Sequence, residues 1–491
     1  MTTETNSGPA HAGAVADEAA PRTAATGTSD TGSDLSTGLK NRHLTMISIA
    51  GVIGAGLFVG SATAIADAGP AVLLSYLAAG TLVVLVMRML GEMAAAHPTL
   101  GSFTELIRRS LGEGAGFTSG WLYWYFWVIV VGFEAVAGAS ILQRWIDGPL
   151  WLMALVLTIL MTATNLGSVR AYGEFEFWFA SIQVTTIIVF LIIGTAYVLG
   201  LWPDKGPSFS NLTAHQGFAP LGTLAIFSGI VVVIFSMVGA EIVTIAAAES
   251  ENPEKAIAKA TNAVVSRILL FFVGSIFLLV TILPWNDAKL GDSPYVAAFT
   301  VMGIPAAPDI MNAVVLTAVL SCLNSGIYTA SRVLLSLSRH GDAPLSLLAI
   351  NRRGVPVKAI LSCTGVAYVG IALAYISPDQ VFLFLLNSSG AIVLFVYFLI
   401  CAAQLRMRRT LERESPELIR VRMWLYPWLT YVAMVGIVVV VASMYFIKDS
   451  RSQFVLSFVS LAVVVAAYLI RKRRGAPPVT TSEPGLIGGA L

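Results

Sequence analysis

Three glycines lie within six residues of the apolar stretch Gly51 to Phe58, which reads Gly-Val-Ile-Gly-Ala-Gly-Leu-Phe. Glycine readily leaves helical backbone geometry, so this spacing favours an opening in the helix. In a membrane an unpaired backbone N–H or C=O group costs several kcal/mol, and such an opening is stable only where it lines a cavity or meets a ligand. The motif therefore predicts a binding site made of main-chain groups.

A second interruption supports this interpretation. Phe235-Ser-Met-Val-Gly-Ala-Glu241 places a glycine and a carboxylate inside another apolar stretch. The alternative for the first motif is close helix packing, because Ala50, Gly54 and Gly56 nearly match the small-xxx-small pattern. Two interrupted helices at corresponding positions of two halves mark the substrate site of secondary transporters, so we favour the binding site.

Opened segments of this kind present partial charges of both signs. Amides at the start of a half-helix favour an anion such as a carboxylate, and the amides concerned are those of Gly54, Ala55 and Gly56. Freed carbonyls favour an ammonium group, and this second set comprises Val52, Ile53, Phe235, Val238 and the adjacent Gly239. The two interruptions together predict a receptor for a zwitterion.

Two carboxylates, Glu134 and Glu241, lie deep within predicted membrane spans. A charged side chain at that depth is disfavoured by about 2.5 to 3.5 kcal/mol, so such residues are usually functional or paired. One interpretation is a proton carrier, and the other is a hydrogen bond that braces two helices. We favour the proton role for Glu241, which lies beside the second interruption, and leave both roles open for Glu134.

Polar residues in other spans have two interpretations each. A polar stripe at helical spacing follows the eighth span and comprises Ser321, Asn324, Ser325, Tyr328 and Arg332. It either lines the substrate path or holds helices together.

Near the inner end of the second span, Arg88 and Glu92 are four residues apart and can pair as a cytoplasmic gate or as a structural ion pair. The aromatic run Gly120 to Trp127 is interpreted as a membrane-interface belt in preference to a substrate wall.

Composition excludes a soluble protein. Of 491 residues, 56% are hydrophobic and 12% charged, and the mean hydropathy is +0.79, whereas soluble proteins are typically about a quarter charged. Basic residues lie between apolar stretches, so no nucleic-acid partner is indicated. Cys322, Cys363 and Cys401 lack metal-ligand spacing, and we expect no disulfide and no metal.

No predicted span pairs a nucleophile with a histidine, which argues against an enzyme. His43 and His340 are interpreted as interface residues.

Apolar stretches of about 17 to 25 residues predict transmembrane helices. Twelve such stretches are present: His43–Ala64, Gly69–Ala95, Thr118–Leu142, Leu150–Leu166, Glu174–Leu199, Leu221–Ala246, Thr261–Leu283, Ala306–Leu337, Pro356–Ile376, Pro378–Ala403, Met423–Ile447 and Ser452–Ile470. The predicted fold is an all-α membrane protein with twelve transmembrane helices, of which helices 1 and 6 are broken.

The positions of the two interruptions predict an internal repeat. Five helices per repeat make the two halves enter the membrane from opposite sides, which gives an inverted 5+5 arrangement. Repeat 1 covers about residues 43–199, repeat 2 about 221–403, and two extra helices about 423–470. These form a transporter domain, 39–474. Residues 1–38 have few large apolar side chains and predict a disordered cytoplasmic tail, and 475–491 predict a flexible one.

Basic residues are distributed unevenly between the two sides of the predicted membrane. With the amino terminus inside, 21 of the 30 fall in inner loops and ends and five in outer loops, while the other four lie in the tail or the spans. This asymmetry follows the positive-inside rule. We therefore expect a multi-pass protein in contact with membrane lipid, with both termini in the cytoplasm.

Several segments resemble the amino acid permeases of the amino acid-polyamine-organocation superfamily. They are Gly51 to Phe58, Arg88-Met-Leu-Gly-Glu-Met93, Gly101-Ser-Phe103, Tyr172-Gly-Glu-Phe-Glu-Phe-Trp178 and Asn324-Ser-Gly-Ile-Tyr-Thr-Ala-Ser-Arg332. The resemblance covers about Leu39 to Arg474. Within the superfamily, Gly239 to Ser250 and Arg420 to Thr430 are most similar to bacterial 4-aminobutyrate (GABA) permeases.

The resemblance implies a LeuT-like 5+5 fold and proton-coupled import of a small zwitterionic amino acid across the bacterial cytoplasmic membrane. GABA is the first expected substrate, and other neutral or aromatic amino acids come second. The substrate carboxylate is expected on the amides of Gly54, Ala55 and Gly56, and its amine on carbonyls including those of Val52 and Phe235. A proton gradient is the expected energy source, with no cofactor and no obligate protein partner.

One position departs from the family pattern. Many of these permeases have a lysine in the fifth helix, where this sequence has Gln183. A neutral amide cannot titrate, so Glu241 becomes the favoured proton site. Exchange, sodium coupling and a transporter-like nutrient sensor remain as alternatives.

Overall fold

In the computed structural model of the protein the described residues are 42–43, 46, 53–97, 102–203, 208–242, 264–265, 267–287, 293–376 and 391–474. Helices and connecting turns make up these residues, and no strand occurs among them. The two predicted tails and Val52 lie outside them.

Helices follow one another along the whole described chain. The first group comprises α1 (Ala55–Phe58), α2 (Gly60–Ala68), α3 (Val72–Ala96), α4 (Phe103–Leu111), α5 (Glu113–Leu142), α6 (Leu150–Gly167) and α7 (Val169–Val198). The second comprises α8 (Thr223–Met237), a π-helical turn (Ile268–Gly274) that continues into α9 (Ser275–Ile282), α10 (Pro294–Val301), α11 (Ala307–Arg339), α12 (Val357–Ile376), α13 (Ile392–Glu414), α14 (Trp428–Phe446) and α15 (Arg451–Arg473). Short 3-10 turns lie at Gly69–Ala71, Ser210–Leu212, Leu345–Leu348, Pro416–Leu418 and Lys448–Ser450.

Seven helical stretches of the described chain are long and apolar enough to cross a membrane. They are Gly56–Ala96, Glu113–Leu142, Leu150–Gly167, Val169–Val198, Ala307–Arg339, Trp428–Phe446 and Arg451–Arg473. Thr223–Met237, Ile268–Ile282 and Val357–Ala372 are apolar but shorter. The all-helical, apolar class predicted from composition is therefore confirmed for the described residues.

Helix α13 is longer than predicted. The apolar stretch was expected to end at Ala403, but the helix continues to Glu414. In its last turns Arg408 Nε donates to Glu412 Oε1 at 2.7 Å, one turn further along the helix. Ion pairs at this spacing support helix outside the apolar layer, which is why the hydrophobic pattern alone ended the element too early.

Helix α4 lies between two long helices and is capped at both ends. The Ser102 side chain accepts a hydrogen bond from the Thr104 amide, Glu105 lies in the first turn, and Arg108 and Arg109 lie in the last. This charge order complements the helix dipole. Gly112, at φ 97°, ends the helix in a conformation that glycine adopts without strain.

The centre of the bundle is the antiparallel pair α5 and α11. Gly120 meets Leu337 near one end, and Gly138 meets Val319 toward the other. Helix α7 packs on this pair through α11 and buries one stripe of residues: Val169, Tyr172, Gly173, Glu176, Ala180, Gln183, Ile187, Phe190, Gly194 and Val198. This period of three to four places a single helix face against the protein.

The outer surface of the bundle is apolar. Trp178 and Ile192 on the other side of α7 are 64% and 65% exposed. In α15 only Ser457 is buried among the described residues of that helix. Apolar side chains exposed around a bundle of this length are those expected to contact lipid.

Candidate functional site

The first interruption is in direct contact with the second. Helix α1 begins at Ala55, after a bend at Gly54. A side chain on Gly56 would place its Cβ 2.7 Å from both Cα and Cβ of Ser236, which is closer than real Cβ contacts. Glycine at position 56 therefore allows the backbone of α1, one residue after its start, to meet α8 one residue before its end.

The other side of the first interruption faces α5 and α11. A Cβ on Gly54 would lie 3.2 Å from Cβ and Sγ of Cys322 and 3.4 Å from Oε1 of Glu134. Gly54 and Ile53 are both buried. Glu134, one of the two predicted carboxylates, is thus adjacent to the glycine motif, and α5, α8 and α11 all reach that motif.

The second interruption begins where α8 ends. The helix stops at Met237, Val238 is extended with ψ 147°, and Gly239 has φ 110°, a conformation that favours glycine. The Phe235 ring packs edge-to-face on Phe126 and Phe133 of α5, at centroid distances of 5.9 and 6.1 Å. The predicted set Phe235, Val238 and Gly239 therefore lies at a true helix end.

Hydrogen bonds from α5, from α13 and from the backbone of the second interruption hold Glu241 at this helix end. Tyr123 Oη donates to its Oε1 at 2.9 Å, Tyr397 Oη donates to Oε2 at 3.1 Å, and the Gly239 amide lies 3.2 Å from both oxygens. The carboxylate is fully buried, and the buried Arg267 is within electrostatic reach of it. Glu241 thus ties the second interruption to α5 and α13.

The interface-belt interpretation fails for half of the six aromatic residues of the run in α5, while Trp121, Trp124 and Tyr125 are partly exposed. Tyr123, Phe126 and Trp127 are at most 2% exposed, although belt residues lie at the membrane–water boundary. Phe126 reaches Phe235 and Tyr123 reaches Glu241. Aromatic composition alone could not separate a belt from a buried wall, because both place large rings on a membrane helix.

The polar stripe of α11 makes hydrogen bonds to α6 and α7. Ser321 Oγ donates to Glu176 Oε1 at 2.6 Å, and Asn324 Oδ1 accepts from Thr164 Oγ1 and from Asn165 Nδ2, both at 2.8 Å. These bonds brace three helices.

The rest of the stripe continues the bracing contacts toward the end of α11. Ser325 Oγ lies 3.1 Å from the Tyr172 hydroxyl. Tyr172 stacks on Tyr328 at 4.1 Å, and Arg332 lies over the same Tyr328 ring at 3.9 Å. The whole stripe therefore contacts protein in this structure.

Sequence reasoning did not single out Glu176 as a site residue. Its side chain is fully buried, and its Oε2 has no hydrogen-bond partner among the described residues. Gln183 lies two helical turns further along the same buried stripe of α7, and neither end of its amide has a partner among those residues. The periodicity of α7 was the available signal, because it places both polar side chains on the face that carries Tyr172 and Ala180.

Glu92 is held by partners distant in sequence. Its carboxylate accepts from Gln404 Nε2 at 2.7 Å, from Arg408 Nη1 at 2.6 Å and from the Met423 amide at 2.6 Å. The predicted neighbour Arg88 donates from Nε to the carbonyl of Arg422 at 2.9 Å. In this structure Glu92 joins α3 to α13 and to the segment before α14.

A second charged network lies at the ends of α4, α11 and α15. His340 Nε2 is 2.9 Å from Glu105 Oε2, and Asp342 pairs with both Arg108 and Arg471. The hydrogen bond with Glu105 raises the pKa of His340, although burial opposes it. Burial also acts against ionised Glu105, but the hydrogen bond from His340 and the nearby Arg108 give that carboxyl a lowered pKa.

Comparison with known proteins gives a family match over most of the chain. A family model described as amino acid permease matches residues 43–475. The gamma-aminobutyric acid permease of Bacillus subtilis is 52% identical over 457 residues, which cover 91% of this chain and 97% of that relative.

Two further relatives show the range of the similarity. A probable GABA permease of Pseudomonas aeruginosa is 50% identical over 444 residues, covering 90% of this chain and 93% of the relative. An aromatic amino acid transport protein of Corynebacterium glutamicum is 41% identical over 426 residues, covering 85% and 91%.

Proposed function

Because the chain belongs to the amino acid permease family, we propose that it is a secondary active transporter that imports GABA across the bacterial cytoplasmic membrane. Members of this family are transporters and not enzymes. The relatives named as GABA permeases are about as long as this chain and half identical to it, which supports GABA as the first substrate.

One structural observation carries the proposal. Gly56 of the first interruption meets Ser236, the residue before the end of the interrupted helix α8. Two interrupted helices in contact at membrane depth are the arrangement that forms a transporter's substrate site. Two residues before Gly56, Gly54 lies beside Glu134 and Cys322.

Substrate recognition in this proposal uses main-chain groups. The substrate carboxylate binds the amides of Gly54, Ala55 and Gly56, and the amine binds carbonyls among Val52, Ile53, Phe235 and Val238, next to Gly239. GABA has no side chain, so selectivity follows from the distance between the anionic and cationic ends of the pocket. Phe235, placed against Phe126 and Phe133, supplies an apolar wall for the methylene chain.

The proposed transport cycle is driven by a proton gradient. Glu241 is the proposed proton site, with Glu134 as a second carboxylate, because Gln183 cannot titrate. The proposed architecture is twelve transmembrane helices in an inverted 5+5 repeat plus two, with both termini in the cytoplasm. Its support is the twelve apolar stretches of the sequence, the two glycine-containing interruptions and the basic residues of the inner loops.

A second candidate is a permease for another neutral or aromatic amino acid. The observation in its favour is the 41% identity to an aromatic amino acid transport protein. An exchanger and a nutrient sensor are the remaining alternatives, and these differ from an importer in giving no net accumulation.

The experiment is uptake of radiolabelled GABA into proteoliposomes that contain the purified protein. An imposed inward proton gradient should give accumulation above the external concentration, and a protonophore should abolish it. An excess of each common amino acid, tested as a competitor, identifies the preferred substrate. Phenylalanine outcompeting GABA would favour the second candidate, and absence of accumulation for any substrate would contradict the importer.

A further inference from the structure

A basic groove lies on the outside of the bundle, between the last turns of α13 and the first turn of α14. Its volume is about 510 Å³. The groove is lined by Ala402, Leu405, Arg406, Arg409, Thr410, Arg413 and Tyr431. Three of these seven residues are arginines, and no carboxylate is among the described residues that line it.

Helix α13 separates its arginines by face. Arg408 is turned inward, where Glu92 and Glu412 bind it. Arg406, Arg409 and Arg413 follow one another by three and four residues, so they lie on one face, and all three are exposed. In the part of the chain that the structure describes, none of these three has an ion-pair partner.

The groove changes from apolar to basic along the helix. Ala402 and Leu405 lie toward the apolar part of α13, and Arg413 lies 11 residues after Ala402, which corresponds to about 16 Å of helix. Tyr431 forms the opposite wall, and its hydroxyl accepts a hydrogen bond from Arg409 Nη2 at 3.2 Å. This gradient matches a molecule with an anionic head and an apolar body.

Neighbouring residues place the groove at the membrane boundary. Trp424, Leu425 and Trp428 are 45%, 76% and 72% exposed, and exposed aromatic residues are typical of the lipid headgroup level. The charge distribution places this end of the bundle on the cytoplasmic side. Arginine binds phosphate in a bidentate geometry, and basic pockets at this level bind anionic lipid heads.

We propose that this groove is a binding site for an anionic phospholipid, with the headgroup phosphate on Arg406, Arg409 and Arg413 and an acyl chain along Leu405 and Ala402. The lipid neutralises three charges that have no ion-pair partner among the described residues. It also bridges α13 and α14 on the outside of the bundle, while Glu92 joins α13 to the segment before α14 from the inside, through Arg408 and the Met423 amide. The proposal does not depend on which substrate the protein carries.

The test measures lipid retention by the purified full-length protein in mild detergent. The protein is incubated with an equimolar mixture of dioleoyl phosphatidylglycerol and dioleoyl phosphatidylcholine, and bound lipid is counted by native mass spectrometry. With three arginines facing one headgroup, the wild type should retain phosphatidylglycerol about a hundredfold over phosphatidylcholine, which corresponds to about 1 kcal/mol for each basic residue. High salt should weaken this preference, because the groove is exposed.

The variant Arg406→Gln/Arg409→Gln/Arg413→Gln should lose the preference. The matched control Arg339→Gln/Arg473→Gln/Arg474→Gln removes the same charge from exposed residues outside the groove and should keep it. The single variant Arg409→Gln, which leaves most of the groove intact, should reduce the preference by an intermediate amount.

Three outcomes would overturn the proposal. Unchanged retention in the groove variant would show that the lipid binds elsewhere. Equal loss in both triple variants would show only a general effect of net charge. Displacement of phosphatidylglycerol by excess inorganic phosphate alone would show that the groove binds a soluble anion and that binding does not require an acyl chain.

Discussion

At the residue scale, the most informative side chain is Glu241. Hydrogen bonds from Tyr123, Tyr397 and the Gly239 amide hold its carboxylate at the end of an interrupted helix. Any change in its protonation must alter contacts with two other helices and with the backbone of the interruption itself. A proton carrier in this position would therefore be mechanically linked to the proposed substrate site.

We predict that Glu241→Gln abolishes uphill accumulation more strongly than substrate binding. The glutamine amide keeps its hydrogen-bonding capacity but cannot bind or release a proton. Substrate should therefore still exchange across the membrane, but it should not accumulate against its concentration gradient. The measurements are the accumulation ratio under a proton gradient, counterflow without a gradient, and the substrate Kd.

The control for this variant is Tyr397→Phe, which removes one hydrogen bond to Oε2 and leaves the carboxylate in place. It should keep proton-dependent accumulation, with a lower thermal midpoint. Concentrative uptake by Glu241→Gln with the wild-type pH dependence would show that the carboxylate serves only as a brace.

At the scale of elements, the contact between α1 and α8 is the tightest point of the site. A Cβ at position 56 meets the backbone of Ser236 at 2.7 Å, so the neighbour cannot move aside by a rotamer change. We predict that Gly56→Ala lowers GABA uptake on the order of tenfold, since overpacking of this kind costs about 1 to 3 kcal/mol. Uptake is measured at matched surface expression.

The control for this substitution is Gly365→Ala in α12, where the added Cβ meets no atom within 4 Å. It should leave uptake unchanged, because it adds the same methyl group to a helix with open space. Normal transport by Gly56→Ala would count against a substrate site at the contact between the two interruptions.

At the scale of the whole molecule, charged networks join the helix ends. Glu92 connects α3 and α13, while Glu105, His340, Asp342, Arg108 and Arg471 connect α4, α11 and α15. The second network includes a histidine, so the cohesion of these helix ends depends on pH.

We predict that His340→Gln lowers the thermal midpoint most at pH values between about 4.5 and 6.5, the ordinary pKa values of the two partners. The pKa of His340 is raised, so its contribution is complete below 6.5 and is lost as pH rises through the folded-state value. The lowered pKa of Glu105 keeps the partner ionised above 4.5. The midpoint difference from wild type should therefore shrink toward alkaline pH.

Thermal unfolding in detergent, followed at several pH values for both proteins, gives the required differences. His215→Gln is the control. The backbone carbonyl of His215 accepts a hydrogen bond from Trp285 Nε1, and this bond does not involve the imidazole that the substitution removes. A deficit in His340→Gln that does not vary with pH would mean that the imidazole acts by packing and not by its charge.

The sequence by itself determined the all-helical, apolar class of the protein, because burial in lipid imposes long apolar stretches that are visible without contacts. It also determined the second interruption. Val238 and Gly239 leave helical geometry at the place where glycine and Glu241 interrupt the apolar pattern. Both features depend on local composition, so they can be predicted from one amino-acid sequence.

Only the tertiary structure decided which polar groups meet. Glu92 binds Arg408, 316 positions away, and Ser321 binds Glu176, 145 positions away. Tyr123 and Phe126 of α5 turn inward to Glu241 and Phe235. Helical periodicity places a side chain on a face, but the helix that packs against that face is set by long-range topology. For that reason Glu176 and Arg408 carried no signal in the sequence beyond their spacing, and their partners followed only from the packed bundle.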